Sequence, residues 1–297
     1  MNNFWTDIKY KLFNSGSKLG LLIGINVFVF LLINIPSVLE QLFVTGLGAQ
    51  GIIKSYAFEY LAMPASLPKL LARFWTPVTY MFMHDGIFHI LFYMLWLYWL
   101  GQLFEEYLGQ KKTIFLYLAG GLSGALFYLA GFNLIPAFAH SPEALAMPIV
   151  GASAAVMAIV ISTATLLPDY ELYLMFIGPV KLKWIAIFYV VIDFLGIAGP
   201  NAGGELAHLG GALFGFIYMK QLQRGNNLGA ILSGAFAPKP KIKVVSNNSG
   251  YQRSRKTVHI APDQDEIDRI LDKISQSGYE SLTKTEKETL FRASKND

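Results

Sequence analysis

Residues 149–167 read IVGASAAVMAIVISTATLL, a run of 19 residues without a charge. As a helix it is ~28 Å long, close to the hydrocarbon thickness of a bilayer. Its small side chains fall in rows. Gly151, Ala155 and Ile159 form one, and Ala154, Ala158 and Ser162 form another. Small residues four apart let a neighbouring backbone approach closely in lipid. Ser153 stands near the start. The stretch therefore reads as a tightly packed membrane helix with a hydroxyl near one end.

Five further segments are apolar enough to cross a bilayer: about Leu19–Pro36, His84–Phe104, Thr113–Gly131, Trp184–Ala198 and Leu206–Leu222. The fifth span in chain order, Trp184–Ala198, is short unless Val180–Lys183 join it. The composition agrees, with 54% hydrophobic and 15% charged residues against about 25% charged in a soluble domain. A single soluble enzyme, a disordered chain and a collagen-like chain are excluded. With no cysteine, disulfides, thiolate zinc sites, iron–sulfur clusters and thiol catalysis are excluded too. The expected class is all-α, a six-helix transmembrane bundle. Basic residues precede the first span, but no small-x-small cleavage site follows, so the span reads as retained.

Short-loop lysines and arginines orient the bundle. Lys9, Lys11 and Lys18 precede the first span, Lys111 and Lys112 follow the second, Lys181 and Lys183 precede the fifth, and Lys220 and Arg224 end the sixth. The loops 132–148 and 199–205 carry no Lys or Arg. Both termini are therefore expected on the cytoplasmic side. The long first loop, with Lys54, Lys69 and Arg73, is the exception. Its apolar stretch Phe58–Ala72, followed by Trp75 and Tyr80, suits short amphipathic pieces in the interface. The expected division is a cytoplasmic segment 1–18, a membrane domain 19–224, a flexible basic linker 225–262 and a C-terminal helical hairpin 263–297. In the hairpin, Ile267, Ile270, Leu271 and Ile274 share a stripe. Thr283 with Glu286 forms a capping-box pattern opening a second helix, about Lys284–Ser294.

Ionisable groups in membrane helices are costly and point to function. Spans two, four and six all run inward from the outer face. His89, Ser153 and His208 each lie about one turn into their span, so all three share one layer. A serine among small residues is ordinarily a packing residue, and a histidine at an interface is ordinarily hydrogen-bonded structure. The row Ala207, Gly211, Gly215 is itself a packing signal. Yet packing rows on spans four and six would bring Ser153 and His208 together. A serine activated by an imidazole is the core of acyl transfer. His84 lies about 140° around a helix from His89, on another face, and suits holding water or orienting the first loop. Asp193, late in span five, reads as a structural hydrogen-bond partner for a polar group near the outer end.

The ordered set resembles the rhomboid intramembrane serine proteases from about Arg73 to Tyr218. It comprises Phe82-Met83-His84, His89-Ile90-Leu91-Phe92, Gly101 with Glu105 and Gly109, Gly151-Ala152-Ser153, and Ala207-His208-Leu209-Gly210-Gly211 with Gly215. The resemblance implies Ser153 as nucleophile and His208 as general base. It also implies an oxyanion site from the Ser153 N–H and the His89 side chain. The chain departs from the family at Tyr93, where Asn is usual four residues after the oxyanion His. It also has Ala154 for Gly after the nucleophile, and Met157 for an aromatic one turn later. At i,i+4 Tyr93 shares a face with His89, and its hydroxyl could donate.

The expected function is an endopeptidase cleaving membrane proteins in or near their spans, near the outer face. The altered Tyr93, Ala154 and Met157 motivate an alternative, a non-catalytic module binding membrane clients. A zinc site on His84, His89 and His208 is disfavoured, because no HExxH motif is present. No metal or cofactor is expected. The expected partners are transmembrane substrates and lipid, with no nucleic acid, and the hairpin's partner is left open. A bacterial inner membrane suits the resemblance and the chain's size.

Overall fold

The structure is a computed structural model and describes residues 17–46, 51–174, 177–226, 228–229 and 264–293. The chain divides into two compact units, residues 1–238 and 239–297. The expected segment 1–18 and linker 225–262 lie largely outside the described residues.

The first unit is a bundle of helices. Helix α1 spans Leu19–Glu40 and runs on through a wider π turn, Gln41–Thr45. The first loop carries α2 (Ile52–Leu61) and α3 (Leu67–Ala72). Then come α4 (Ile87–Leu108), α5 (Gln110–Leu134) and α6 (Ser153–Leu166). A two-stranded antiparallel ribbon, β1 (Glu171–Leu174) with β2 (Gly178–Lys181), leads into α7 (Leu182–Gly196). Helix α8 spans Ala202–Gln223.

Each expected span overlaps a helix, with shifted ends: the first runs on past Pro36, and the fourth begins at Ser153 and not at Ile149. The second helix begins at Ile87, after His84, because Asp85 and Gly86 stay extended or bent ahead of it. The fifth cannot include Val180 or Lys181, whose backbones pair with β1. Among the described residues, three helical segments are long and apolar enough to cross a membrane: Leu19–Thr45, α4 and α5. Helices α6 and α7 have only 14 and 15 residues. Helix α8 is long, but Glu205, His208, Lys220 and its glycines dilute its apolar character. Large apolar side chains are exposed in numbers unsuited to water. They include Phe28, Leu32 and Phe43 on α1 and its extension, and Ile187, Phe188, Phe194 and Leu195 on α7. This is an integral membrane protein.

Helix α6 is the axis of the bundle. Every residue from Ser153 to Ala164 is buried, against α8, α5, α4 and α7. The small rows account for it. A Cβ on Gly211 would overlap the Ala154 carbonyl, and one on Gly215 the Ala158 carbonyl. The two backbones touch, and Ser162 Oγ donates to Gly215 O across the contact at 2.8 Å. Polar groups deep in the bundle are mostly satisfied. Asn26 Nδ2 donates to Tyr117 OH at 2.9 Å, and Tyr117 OH donates to Met81 O at 3.1 Å.

The first loop is anchored as well as amphipathic. Met63 and Ile149 exchange two backbone hydrogen bonds of 3.0 Å. Thr79 Oγ1 donates to Leu61 O at 2.8 Å, and Trp75 Nε1 to Tyr60 O at 2.8 Å. Two of the loop's three exceptional cations are paired, Lys54 with Asp85 at 2.6 Å and Arg73 with Glu59.

The second unit contains α9 (Gln264–Ser277) and α10 (Lys284–Ala293). The capping box is closed. Thr283 N–H donates to Glu286 Oε2 at 2.7 Å, and Glu286 N–H donates to Thr283 Oγ1 at 3.3 Å. Lys273 of α9 reaches the same carboxylate at 2.9 Å, joining the two helices.

Two outcomes follow from these contacts. Gly211→Val should cost ~1–3 kcal/mol or more by overpacking. It should lower the thermal midpoint in detergent, and an unchanged midpoint would contradict the backbone contact. The Thr283 backbone N–H, Lys273 and the Thr283 hydroxyl hold Glu286 at about 2, below its ordinary 4.5. A depressed carboxyl stabilises the fold above its unfolded value and ceases to as pH falls through its folded one. Hydrogen-exchange protection of residues 284–293 should therefore fall between pH 4.5 and about 2, and Glu286→Gln should flatten that dependence.

Candidate active site

Ser153 is the first residue of α6, so its N–H belongs to the helix end and has no intrahelical acceptor. Gly151 precedes it at φ +127°, a conformation glycine alone adopts readily. That twist is fixed by a hydrogen bond from Gly151 N–H to Tyr80 O, 2.9 Å. The glycine also leaves space. A Cβ there would stand 3.1 Å from His89 Nε2 and 3.4 Å from Ser153 Oγ. An oxygen in that space is within reach of the imidazole, the serine hydroxyl and the start of α6.

His208 sits in the second turn of α8 and is 7% exposed, and Ser153 is 6% exposed. Both line a cavity of about 400 Å³ with His89, Tyr93, Asp85 and Asn201. One serine and two imidazoles from three helices thus line one polar cavity. No hydrogen bond joins Ser153 to His208. The His208 Nε2 instead lies 3.4 Å from the Tyr93 hydroxyl. Tyr93 stands between the two imidazoles, its ring centroid 5.1 Å from that of His89 and 5.9 Å from that of His208.

The other ring nitrogen of His208 faces acids. Nδ1 lies 3.1 Å from Asp193 Oδ1 on α7 and 3.5 Å from Glu205 Oε2, one turn earlier on α8. Asn201 Nδ2 donates to the far oxygen of Glu205 at 3.2 Å. An ionised carboxylate only accepts, so a proton on Nδ1 satisfies both contacts. The sequence placed Asp193 as a partner of some polar group, and that group is His208. It gave no role to Glu205, although the i,i+3 spacing to His208 was a usable signal. Ligand atoms of Asp193, Glu205 and His208 lie within 4.8 Å of one another, the one grouping of three among the described residues able to hold a metal ion.

His84 departs from expectation. It precedes α4 rather than lying on it, so helical geometry does not separate it from His89, and the two rings meet edge to face at 5.3 Å. It is 1% exposed and accepts from the Ala152 N–H at Nε2, 3.4 Å. This bond ties the chain before Ser153 to the first loop. Its Nδ1 has no partner. Met157 is buried in a small cluster with Ile161 and Ala212.

The comparisons with known proteins agree with this architecture. The rhomboid domain family matches residues 71–224, which hold α4 to α8 and every residue of the cavity except Phe58. Residues 259–296 match a family of unknown function, DUF6576. The chain is 35% identical over 162 residues to RHOMBOID-like protein 12, mitochondrial, of Arabidopsis thaliana. That alignment covers 52% of this chain and 48% of the relative, so the chain spans about half of that relative's length. With the domain match covering just over half its residues, the chain belongs to the rhomboid family.

Proposed function

We propose that this protein is an intramembrane serine endopeptidase, with Ser153 as nucleophile and His208 as general base. The observation that carries the reading is the polar cavity of about 400 Å³, which holds Ser153, His89 and His208 at the ends of α4, α6 and α8. The chemistry balances within it. Ser153 Oγ bonds to the carbonyl carbon as its proton passes to Nε2, and the carbonyl pair moves onto oxygen. The C–N bond then breaks, and Nε2 gives its proton to the departing amine. Water repeats the sequence on the acyl-enzyme. His89 and the Ser153 N–H are the oxyanion donors.

In this reading α1, α4, α5, α6, α7 and α8 all span the membrane. Helix α6 needs no full lipid match, because protein surrounds it. Both termini and the hairpin lie on the cytoplasmic side, and the cavity opens toward the outer leaflet. The substrates are membrane proteins presenting a locally unwound segment, and the membrane is a bacterial inner membrane.

A client-binding role is the second reading. The Tyr93 hydroxyl facing Nε2, with no Ser153–His208 hydrogen bond, favours it. Catalytic hydrogen bonds are often long before substrate binds, which leaves the first reading ahead.

Cleavage of a helix-breaking membrane substrate should fall ~10³-fold or more in Ser153→Ala with the thermal midpoint retained. A fluorophosphonate should label wild type and spare that variant. Wild-type rates in the variant would end the proposal. Gly151→Ala puts a methyl 3.0 Å from the His89 ring at a strained φ. It should lower kcat ~10²–10³-fold, the loss expected for an oxyanion donor, and full activity would remove His89 from that role.

A further inference from the structure

A buried carboxylate, Asp193, and a half-buried one, Glu205, converge on one nitrogen of His208, and neither is required by a serine–imidazole pair alone. Asp193 is 4% exposed and reaches Nδ1 from a different helix at 3.1 Å. Its second oxygen, Oδ2, is buried without a hydrogen-bond partner. Leaving a carboxylate so placed is expensive. A side chain needed only for packing at this depth would be apolar. The cost is offset where a positive charge develops beside it. That happens on His208 when Nε2 accepts the serine proton.

We propose that Asp193, supported by Glu205, is the positioning residue that completes a serine–histidine–aspartate arrangement. It fixes His208 with the proton on Nδ1 and the base at Nε2, and stabilises the imidazolium formed during acyl transfer. The proposal rests on the endopeptidase reading for its kinetic consequence, and on geometry alone for its tautomer. Helix α7 supplies the carboxylate through a single side chain, so the proposal makes α7 a working wall of the site. Glu205 lies 0.4 Å farther from Nδ1 and is oriented by Asn201. It serves as the secondary acceptor.

Kinetics of membrane-substrate cleavage and ¹⁵N shifts of the His208 ring test this in the full-length protein, with Ser153→Ala beside wild type. Asp193→Asn keeps the shape but offers no acceptor-only group. It should lower kcat by ~10²–10⁴-fold at unchanged KM. Asp193→Glu, which keeps a carboxylate, should recover part of that loss, and Glu205→Gln should lose less than Asp193→Asn. In wild type the ring shifts should show Nδ1 protonated, and in Asp193→Asn a mixture of tautomers. Wild-type kcat in Asp193→Asn would overturn the proposal. Losses that follow thermal stability and are equal in Asn and Glu variants would do so too. If wild type and Ser153→Ala are both inactive and unlabelled, the endopeptidase reading fails on its own. The ring shifts then still decide the proposal, and an Nε2-protonated or Asp193-insensitive ring rejects it.

Discussion

The contact on which the structure depends is the meeting of two backbones, α6 against α8, with nothing but hydrogen on one side. Lipid tails are as apolar as leucine, so burying leucine between helices gains little in a bilayer. Association comes instead from close packing and from polar bonds that have no competitor. Gly211 and Gly215 provide the first, because their missing side chains admit the Ala154 and Ala158 carbonyls. Ser162 provides the second by donating to Gly215 O. The same rows fix the sliding register of the helices, and hence the relative depth of Ser153 and His208.

Once that register is set, the site is built from helix ends and not from helix middles. Ser153 opens α6, with an unpaired N–H at the positive end of the helix dipole. His89 is in the first turn of α4, and His208 in the second turn of α8. Ends need to be held, and the first loop holds them. Gly151 is bonded to Tyr80, Ile149 to Met63, and Ala152 to His84, all residues of the segment between α1 and α4. Tyr80 in turn donates to Gly121 O of α5 at 2.6 Å. The long loop is therefore part of the scaffold of the site, beyond any role at the membrane surface.

Much of this was readable from residue order because bilayer thickness and small-residue spacing act locally along the chain. The helices stand out through hydropathy, and the α6–α8 contact through its rows. The expectation of one depth for His89, Ser153 and His208 came from the expected topology and helical rise alone. What the sequence hid depends on geometry across elements. Asp193 and Glu205 are twelve residues apart on different helices, and only the turn at residues 197–201 brings them to one imidazole. The nearness of His84 and His89 was hidden by assuming that one helix carried both. The ribbon before α7 was hidden because Val180 is as suited to a strand as to a membrane helix.

Tyr93 shows how one substitution redistributes work within a fixed frame. It occupies the place where the resemblance implies an Asn, one helical turn after His89 on α4. An Asn side chain is short and would keep its amide near the oxyanion space. The phenol is longer, and its hydroxyl comes within 3.4 Å of His208 Nε2. On the proposed mechanism the oxyanion then depends on His89 and the α6 N-terminus alone. The Tyr93 hydroxyl stands 3.4 Å from the nitrogen that would take the serine proton. The carboxylates behind His208 gain importance for the same reason. A base that meets a phenol at one ring nitrogen needs its tautomer and orientation fixed from the other, which is where Asp193 and Glu205 stand.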